Sequence, residues 1–278
     1  MYNCLGITLF FNELELLLLQ LKTLSRVCDH IIIVEPECNS RGEPRENLEF
    51  GRFLEKFGDM IKGIPYEYLI IPKKEFKEVK DLNKHLAGEE NVGRCRSIPI
   101  INNKANFYIY NDVDEIFSDG QIDEIRSLIS GNFKGKRGVK FWYYNHYLNW
   151  RCVYPRGWKR ILCLMKSDPV INSEVHLFDY ESGHEFALQF KGEIQRPVQT
   201  DILKNIGYHF SFLYSLETKL KNYSHTELTN QASIAKKRKE QRIAAVHPEW
   251  KCKSTPIANI QIQDLHKHIE IFKPFVCP

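Results

Sequence analysis

The chain lacks the sequence signatures of several protein classes. Its eight cysteines form no CxxC pair, which argues against a zinc ribbon or a compact secreted disulfide framework and favours reduced thiols. No segment approaches the run of about 20 apolar residues that a membrane span requires, and the first residues show no basic stretch followed by a cleavage site. We therefore expect a cytoplasmic protein without a signal peptide or an integral membrane segment.

The chain also lacks a large excess of charge of either sign. The 278 residues include 39 Lys and Arg against 35 Asp and Glu, which gives a formal net charge of +4. Proteins that bind nucleic acid normally carry a concentrated basic face, so this balance predicts no nucleic acid partner. Small anionic ligands are compatible with it.

No internal repeat or low-complexity linker divides the chain. With 43% hydrophobic residues, a chain of this length can bury a core without disulfides or a structural metal. We therefore predict one domain over residues 1–278. Within it we distinguish a first half (1–118), a second half (119–230) and a C-terminal extension (231–278).

The first half alternates between strand and helix patterns. The predicted strands are Ile7 to Phe11, His30 to Val34, Tyr68 to Ile71 and Phe107 to Tyr110. The predicted helices are Leu14 to Leu24, Leu48 to Ile61 and Val92 to Asn102. Strands separated by helices imply an α/β fold with a mostly parallel central sheet flanked by helices.

The second half is less regular. Gln121 to Ile129 has a helical pattern, and the aromatic segment from Val139 to Leu148 is typical of a strand, which suggests that the sheet continues with mixed or antiparallel pieces. Leu216 to Tyr223 and Glu227 to Ala244 are predicted to be helices. The C-terminal extension is therefore expected to be helical.

The sequence Asp112-Val113-Asp114 follows the predicted strand that ends at Tyr110. Ligands of a parallel α/β sheet bind outside the carboxyl ends of its strands, so the two carboxylates are expected to point into a crevice. A divalent cation that accepts oxygen ligands and bridges to nucleotide phosphates would balance their charge. The alternative is that Asp112 caps the following turn and Asp114 is solvated.

Five patterns, one of which contains Asp112-Val113-Asp114, extend this reading, in one order over about residues 5 to 230. They are Asn12-Glu13-Leu14-Glu15-Leu16-Leu17, Val34-Glu35-Pro36 with Asn39-Ser40-Arg41-Gly42-Glu43-Pro44, Tyr110-Asn111-Asp112-Val113-Asp114-Glu115-Ile116, Gly207-Tyr208-His209-Phe210-Ser211-Phe212, and Lys219-Leu220-Lys221-Asn222-Tyr223-Ser224-His225-Thr226-Glu227. Together they resemble glycosyltransferase family 17. The resemblance implies a GT-A-like nucleotide-sugar-binding fold and a metal-dependent, inverting transfer that forms a β-linkage.

The same resemblance gives the parts of the chain their expected roles. Residues 1–118 become the nucleotide-sugar-binding half and residues 119–230 the acceptor-side half. The implied donor is a UDP-sugar such as UDP-GlcNAc, with UDP-xylose or another donor left open, and the implied acceptor is a glycan hydroxyl. Mn²⁺ or Mg²⁺ is the implied cofactor, because a divalent cation neutralises the charge that builds on a departing nucleoside diphosphate.

Three residues are candidate metal ligands by this resemblance. Asp114 is the candidate for direct coordination, and Asp112 either contacts the metal through water or binds the ribose and the donor sugar. His209 lies in a block where the family has Gly-Trp-His, and is an extra ligand of the metal or the diphosphate. The alternative for His209 is a hydrogen-bonded histidine packed among aromatic residues. Glu115 either orients the site or is the N-terminal acid of the next helix.

Other residues are candidates for binding the donor nucleotide. Glu35 ends the second strand, where GT-A folds commonly contact the base or ribose, and Asn12 and Glu13 follow the first strand. A carboxylate at these places accepts hydrogen bonds from ribose hydroxyls or a base N–H. The alternative for Glu13 is an acid favoured at a helix start.

The diphosphate and the donor site also have basic candidates. Arg94 is a candidate for binding the diphosphate, with Arg96 as its substitute, because a planar guanidinium can donate paired hydrogen bonds to phosphate oxygens. The alternative for Arg94 is a helical ion pair with Glu90. Lys219 and His225 lie in the last family-like block and are expected to close the donor site.

An inverting displacement requires a general base that takes the proton of the acceptor hydroxyl. The sequence does not single one out. The candidates are Glu174, Asp179, Glu181 and Glu185.

Two other functions fit part of the pattern. A DxD phosphohydrolase with an aspartate nucleophile is one, although Ile116 and the mid-chain position depart from that pattern. A sugar-nucleotide-binding protein without catalysis is the other, suggested by the unassigned base and by Tyr208 in place of tryptophan.

Overall fold

A computed structural model describes most of the first half of the chain and parts of the second. The described residues are 1–80, 88–132, 138–147, 152–153, 158–166, 175–178, 187–190, 193–195, 200–211, 253–254 and 259–273. The helices predicted at Leu216 to Tyr223 and Glu227 to Ala244 lie outside them.

Four parallel strands form the centre of the sheet. They are β1 (Tyr2–Leu9), β2 (His30–Pro36), β3 (Tyr66–Ile71) and β4 (Ala105–Asp112). Their order in space is β3-β2-β1-β4, and each neighbouring pair runs parallel. The predicted α/β architecture with a parallel central sheet is confirmed.

Helices connect these strands. They are α1 (Leu14–Leu24), α2 (Phe50–Phe57), α3 (Glu89–Asn102) and, after β4, α4 (Asp119–Ser127). The helix predicted over Leu48 to Ile61 is wrong in its extent, because α2 ends at Phe57 and a 3₁₀ turn, Gly58–Ile61, follows it. The break lies at Phe57, whose φ of −130° and ψ of 3° are outside the helical range.

Both faces of the central sheet are buried by alternating residues of its strands. Ile7 and Leu9 of β1 share one core cluster with residues of α3. Cys4 of the same strand belongs to a second cluster, formed with α1, α2 and α4. The strands β1 and β2 are apolar on both faces, as expected for a sheet covered by helices on each side.

The second half extends the sheet with mixed strands, as its sequence predicts. The added strands are β5 (Glu115–Ile116), β6 (Gly138–Tyr147), β7 (Cys152–Val153), β8 (Trp158–Lys166), β12 (Thr200–Ser211) and β13 (Lys253–Ser254). The strand β8 lies antiparallel between β4 and β6, and β12 pairs parallel with β6 and antiparallel with β5. A separate three-stranded sheet contains β9 (Val175–Phe178), β10 (Ala187–Phe190) and β11 (Glu193–Gln195).

Part of the predicted C-terminal extension packs into the main core. Residues 259–273 include the short helices α5 (Gln263–Lys267) and α6 (Ile269–Phe272). Ile260, Leu265 and Phe272 are no more than 1% exposed and join the cluster that contains α1. This segment therefore contributes to the stability of the core that contains α1.

Across the residues described, no helix has both the length and the apolar character that crossing a membrane demands.

Candidate functional site

The order of the central strands reverses between β1 and β4. The chain moves from β1 outwards to β2 and β3, and then returns to place β4 on the other side of β1. Open α/β sheets bind ligands at such a switch point, outside the carboxyl ends of the strands. Here those ends are Leu9 and Asp112, which are paired in register. The predicted acidic motif therefore begins at the switch point itself.

Asp112 lies at the end of β4 on the side of the sheet that α3 covers. One of its carboxylate oxygens, Oδ2, accepts a hydrogen bond of 3.1 Å from Arg96. The other, Oδ1, accepts a short hydrogen bond from the hydroxyl of Tyr110. The Asp112 side chain is 27% exposed. The buried side chains of Arg96 and Tyr110 thus hold the carboxylate, which is still partly exposed to solvent.

Asp114 and His209 are brought together from distant parts of the sequence. Oδ2 of Asp114 lies 3.5 Å from Nε2 of His209, and their side chains are only 5% and 13% exposed. The backbone carbonyl of Asp114 also accepts a hydrogen bond of 2.8 Å from the amide of Phe210. The sequence placed both residues in one site by resemblance, and the structure places them in contact.

The local pairing of β5 with β12 produces this contact. In that pairing, His209 lies opposite Glu115 and Tyr208 opposite Ile116. Gly207 makes the close approach possible, because a Cβ at this position would lie 2.8 Å from the carbonyl oxygen of Ile116. A glycine is therefore required in the strand that carries His209.

Glu115 is fully buried and supports the turn that follows β4. Its Oε2 accepts a hydrogen bond of 3.0 Å from the amide of Asp112, and its carbonyl accepts one of 2.8 Å from the side chain of Asn111. Of the two roles considered for Glu115, the structure supports orientation of the site. The N-terminus of α4 has its own capping box, formed by Ser118 and Gln121.

The distance between Asp114 and His209 is longer than that of a usual hydrogen bond and is compatible with a shared cation. Hydrogen bonds between nitrogen and oxygen are usually about 2.7 to 3.2 Å long, whereas their two atoms lie 3.5 Å apart. Two atoms that bind one cation at about 2.1 Å are separated by roughly 3 to 3.5 Å. Carboxylate oxygen and imidazole nitrogen are both ligands that Mn²⁺ accepts.

This pair is a partial ligand set. Within the described ranges, no three His, Cys, Asp or Glu side chains form a group that could hold a metal ion. Asp112 is engaged by Arg96, and the other two candidate ligands, Asp114 and His209, lie against each other; their binding of a cation stays a prediction. Phosphate oxygens and water are the usual remaining ligands where a cation binds a nucleotide.

Asn12 and Glu13 follow β1 at the other side of the switch point. Glu13 is 3% exposed, and its Oε2 accepts a hydrogen bond of 3.0 Å from the amide of Asn12. Glu13 is also the N-cap residue of α1, without a side-chain cap hydrogen bond. Both residues lie at the expected edge of the sheet, and their contact with a nucleotide stays a prediction.

Glu35 differs from its predicted role as a nucleotide ligand. Its side chain is completely buried and forms an ion pair of 2.9 Å with Arg45. It also accepts hydrogen bonds from the amides of Glu49 and Phe50, of 2.7 and 3.2 Å, and from the hydroxyl of Tyr68, of 2.7 Å. This carboxylate holds the start of α2 against β2 and β3, so in this arrangement it presents no surface to a ligand.

The buried carboxylate of Glu35 also affects the pKa of Tyr68. Burial, followed by the hydrogen bond to Glu35, raises the pKa of the Tyr68 phenol well above its usual value. A phenol in contact with a buried carboxylate stays protonated, because ionisation would place two negative charges together. Arg45 completes the network by donating to the carbonyls of Pro36, at 2.9 Å, and Phe11.

The two arginines of α3 take different places. Arg94 donates a hydrogen bond of 3.2 Å to the carbonyl of Glu75, and its approach to a diphosphate stays a prediction. Arg96 is 5% exposed and lies against Asp112 and Tyr110. Arg96, the expected substitute for Arg94, therefore binds Asp112 of the acidic motif in this structure.

Six predicted site residues lie outside the described residues. They are the donor-site candidates Lys219 and His225, and the general-base candidates Glu174, Asp179, Glu181 and Glu185.

Sequence reasoning missed Tyr110 and Arg45. Tyr110 precedes Asp112 by two positions in a strand, so their side chains share a face, and this signal could have identified it. Arg45 follows the turn-rich segment in the second family-like block, and nothing in its local sequence indicates that it pairs with Glu35.

An open cavity of about 280 Å³ lies at the carboxyl ends of β2 and β3. Its lining residues are Glu37, Pro44, Arg45, Glu46, Asn47, Leu48 and Lys73. The cavity shares Arg45 with the Glu35 network, and it lies along the same edge of the sheet as the acidic motif.

Comparison with known proteins gives distant structural similarities. No protein-family model matches the sequence, and a search of the curated proteins finds no match either. Solved structures similar to the chain include residues 1–349 of S. aureus TarS, at 10% sequence identity and a TM-score of 0.33, over 53% of this chain and 36% of that one. Mannosyltransferase PcManGT from Pyrobaculum calidifontis, in complex with GDP-Man and Mn²⁺, is similar at 10% identity and a TM-score of 0.30, over 52% and 36%.

In each comparison the matched part is about a third of the length of the other protein. Superpositions with these TM-scores assign no function to this chain.

Proposed function

We propose that the chain is a metal-dependent, inverting glycosyltransferase with a GT-A-like fold. It transfers a sugar from a nucleoside diphosphate donor to a glycan hydroxyl and forms a β-linkage. The donor we propose is a UDP-sugar such as UDP-GlcNAc, as the family-like blocks imply, and the cofactor is Mn²⁺ or Mg²⁺.

One observation carries this proposal. Asp114 and His209 meet at 3.5 Å beside Asp112, at the switch point between β1 and β4. This is where an α/β sheet binds nucleotides, and the residue types are those that hold a divalent cation with a diphosphate. Both acidic residues and the histidine belong to the blocks that resemble glycosyltransferase family 17.

The proposed reaction divides the work among these residues. Asp114 and His209 hold the divalent cation, which when bound stabilises negative charge on the departing diphosphate. The acceptor hydroxyl oxygen forms a bond to the anomeric carbon as the bond from that carbon to the diphosphate oxygen breaks. The proton of the hydroxyl passes to a general base, for which Glu174, Asp179, Glu181 and Glu185 stay the candidates.

The phosphohydrolase alternative is weakened by the surroundings of Asp112. An aspartate nucleophile needs an available carboxylate oxygen. Arg96 donates to both oxygens of Asp112, at 3.1 and 3.4 Å, and this positive charge lowers the nucleophilicity of the carboxylate.

A panel of nucleotide sugars tests the proposal. The protein is incubated with Mn²⁺ and UDP-GlcNAc, UDP-xylose, UDP-glucose or GDP-mannose, and the released nucleoside diphosphate is measured. We expect release from one donor, loss of release in Asp114→Asn, and retention in Asp59→Asn, whose side chain is 91% exposed. Saturable donor binding without release would favour the non-catalytic alternative, and phosphate release from an aryl phosphate would favour the phosphohydrolase.

A further inference from the structure

Arg96, Tyr110 and Asp112 each contact the other two at the end of β4. Nε of Arg96 donates a short hydrogen bond to the hydroxyl of Tyr110, and this hydroxyl donates one to Oδ1 of Asp112. A terminal nitrogen of Arg96 completes the set with an ion pair of 3.1 Å to Oδ2. The guanidinium also lies 4.7 Å from the centre of the Tyr110 ring. Two neighbours thus fix the orientation of one carboxylate.

The burial of these side chains makes the set hard to open. Arg96 and Tyr110 are 5% and 1% exposed. A guanidinium cannot lose its proton inside a protein, and a buried charge is strongly unfavourable without its partner. Arg96 therefore retains Asp112, and Tyr110 limits the directions in which Arg96 can move.

The positive charge of Arg96 affects where a divalent cation can bind in the site. A divalent cation that approached Asp112 would meet the positive charge of Arg96 on the same carboxylate, and like charges repel strongly in a partly buried site. A neutral hydroxyl group meets no such repulsion. A carboxylate offers about four acceptor positions, and the exposed edge of Asp112 can receive hydroxyl hydrogen bonds.

We propose that Arg96 and Tyr110 are positioning residues that keep Asp112 away from the cation. Asp112 then accepts hydroxyl groups of the donor, and the cation is left to Asp114 and His209. The inference rests on the proposed function and adds to it the residues that separate the two roles of the acidic motif.

Metal affinity without nucleotide tests the inference. Mn²⁺ is titrated into the full chain and free Mn²⁺ is measured by electron paramagnetic resonance, for the wild type, Arg96→Gln and Tyr110→Phe. Because Arg96→Gln removes the positive charge that repels the cation at Asp112, we expect its Mn²⁺ affinity to rise several-fold. Tyr110→Phe keeps this charge and removes only the hydrogen bond to Oδ1 of Asp112, so we expect a smaller rise. In Arg96→Gln, UDP affinity at saturating Mn²⁺ is expected to fall about tenfold, since Arg96 no longer holds Asp112 for a hydroxyl.

A merely structural role would give a different result, because damage to the site weakens Mn²⁺ and UDP binding together. Unchanged or weaker Mn²⁺ binding in Tyr110→Phe, which removes one hydroxyl and keeps the ring, would overturn the inference even if Arg96→Gln fails to fold. The double variant Arg96→Gln/Asp112→Asn should lose the gain in Mn²⁺ affinity. Arg52→Gln, in which the replaced arginine side chain is 68% exposed, is the matched control and should bind like the wild type.

Failure of the inference is distinguishable from failure of the proposed function. If the wild type binds Mn²⁺ through Asp114 but the variants show no gain, the separation of roles is wrong and the metal site stands. If the wild type binds no Mn²⁺ with or without UDP, the metal-dependent function is wrong and the inference falls with it.

Discussion

Oδ2 of Asp114 lies 3.5 Å from Nε2 of His209, across the junction between β5 and β12. If the two atoms share a cation, removing the imidazole removes one of its protein ligands. We predict that His209→Ala weakens Mn²⁺ binding by at least about tenfold, measured by electron paramagnetic resonance. His30→Gln is the control, because His30 begins β2 at the opposite edge of the sheet. Equal affinities in the two variants would exclude His209 as a ligand.

A second prediction concerns Gly207, whose missing side chain brings β12 against β5. A Cβ there would lie 2.8 Å from the carbonyl of Ile116 and closer still to Oε1 of Gln121. We expect Gly207→Ala to lower the free energy of unfolding by about 1 to 3 kcal/mol and to weaken Mn²⁺ binding, because His209 moves away from Asp114. Urea denaturation and Mn²⁺ titration measure the two effects.

Gly51→Ala is the matched control for this change. Gly51 lies in α2, and an added Cβ there meets no atom within 4 Å. Alanine favours a helix over glycine by about 0.5 to 1 kcal/mol, so this variant should be slightly more stable. Parallel behaviour of the two glycine variants would contradict the close-packing account of Gly207.

The buried ion pair between Glu35 and Arg45 gives a third prediction. Replacing Glu35 by Gln leaves a buried guanidinium without its negative partner, which typically costs about 3 to 5 kcal/mol. We therefore expect chemical denaturation to show a large decrease in the free energy of unfolding. We also expect the backbone amides at the start of α2 to exchange their hydrogens faster. Asp59→Asn, which breaks an exposed pair with Lys62, should change little. A stable Glu35→Gln protein with weaker UDP binding would restore Glu35 as a nucleotide ligand.

A fourth prediction concerns His268 and the pH dependence of stability. Burial, followed by the positive charges of Lys22 and Lys267, lowers the pKa of His268 below its ordinary value, and Asp264 opposes the shift. In the unfolded chain, His268 takes up a proton near its ordinary pKa of about 6.5. In the folded chain, it takes up this proton only at a lower pH. Stability from this group is complete above that pH and is lost as the pH falls below it.

The measurement is the melting temperature between pH 7.5 and 5.5. We expect His268→Gln to show a smaller decrease over this interval than the wild type. The same decrease in both proteins would mean that His268 does not titrate as its surroundings require.

The alternating first half is the part of the fold that the sequence predicts well. Short apolar runs such as Ile31 to Val34, separated by helical patterns, are sufficient to indicate parallel strands covered on both faces. Boundaries are less accurate, because α2 ends at Phe57 and a 3₁₀ turn, Gly58–Ile61, takes the place of the last part of the predicted helix. Local propensity cannot decide such a change without the packing around it.

The candidate site could be predicted only in part, for a physical reason. Asp112 and Asp114 are indicated by their place after a strand, since the sheet topology fixes where strand ends lie. The partners of Glu35 and Asp112, which are Arg45 and Arg96, depend on long-range packing between loops, helices and strands. A single sequence gives the charges of these residues but does not show which of them meet.

Calorimetric titration of UDP, with and without Mn²⁺, tests the central claim most directly. If Asp114 holds a cation that binds the diphosphate, UDP should bind the wild type in the presence of Mn²⁺, bind much more weakly without it, and lose the metal dependence in Asp114→Asn. Asp59→Asn should behave like the wild type. UDP binding that is equally strong with and without Mn²⁺, or that is unchanged in Asp114→Asn, would contradict the claim.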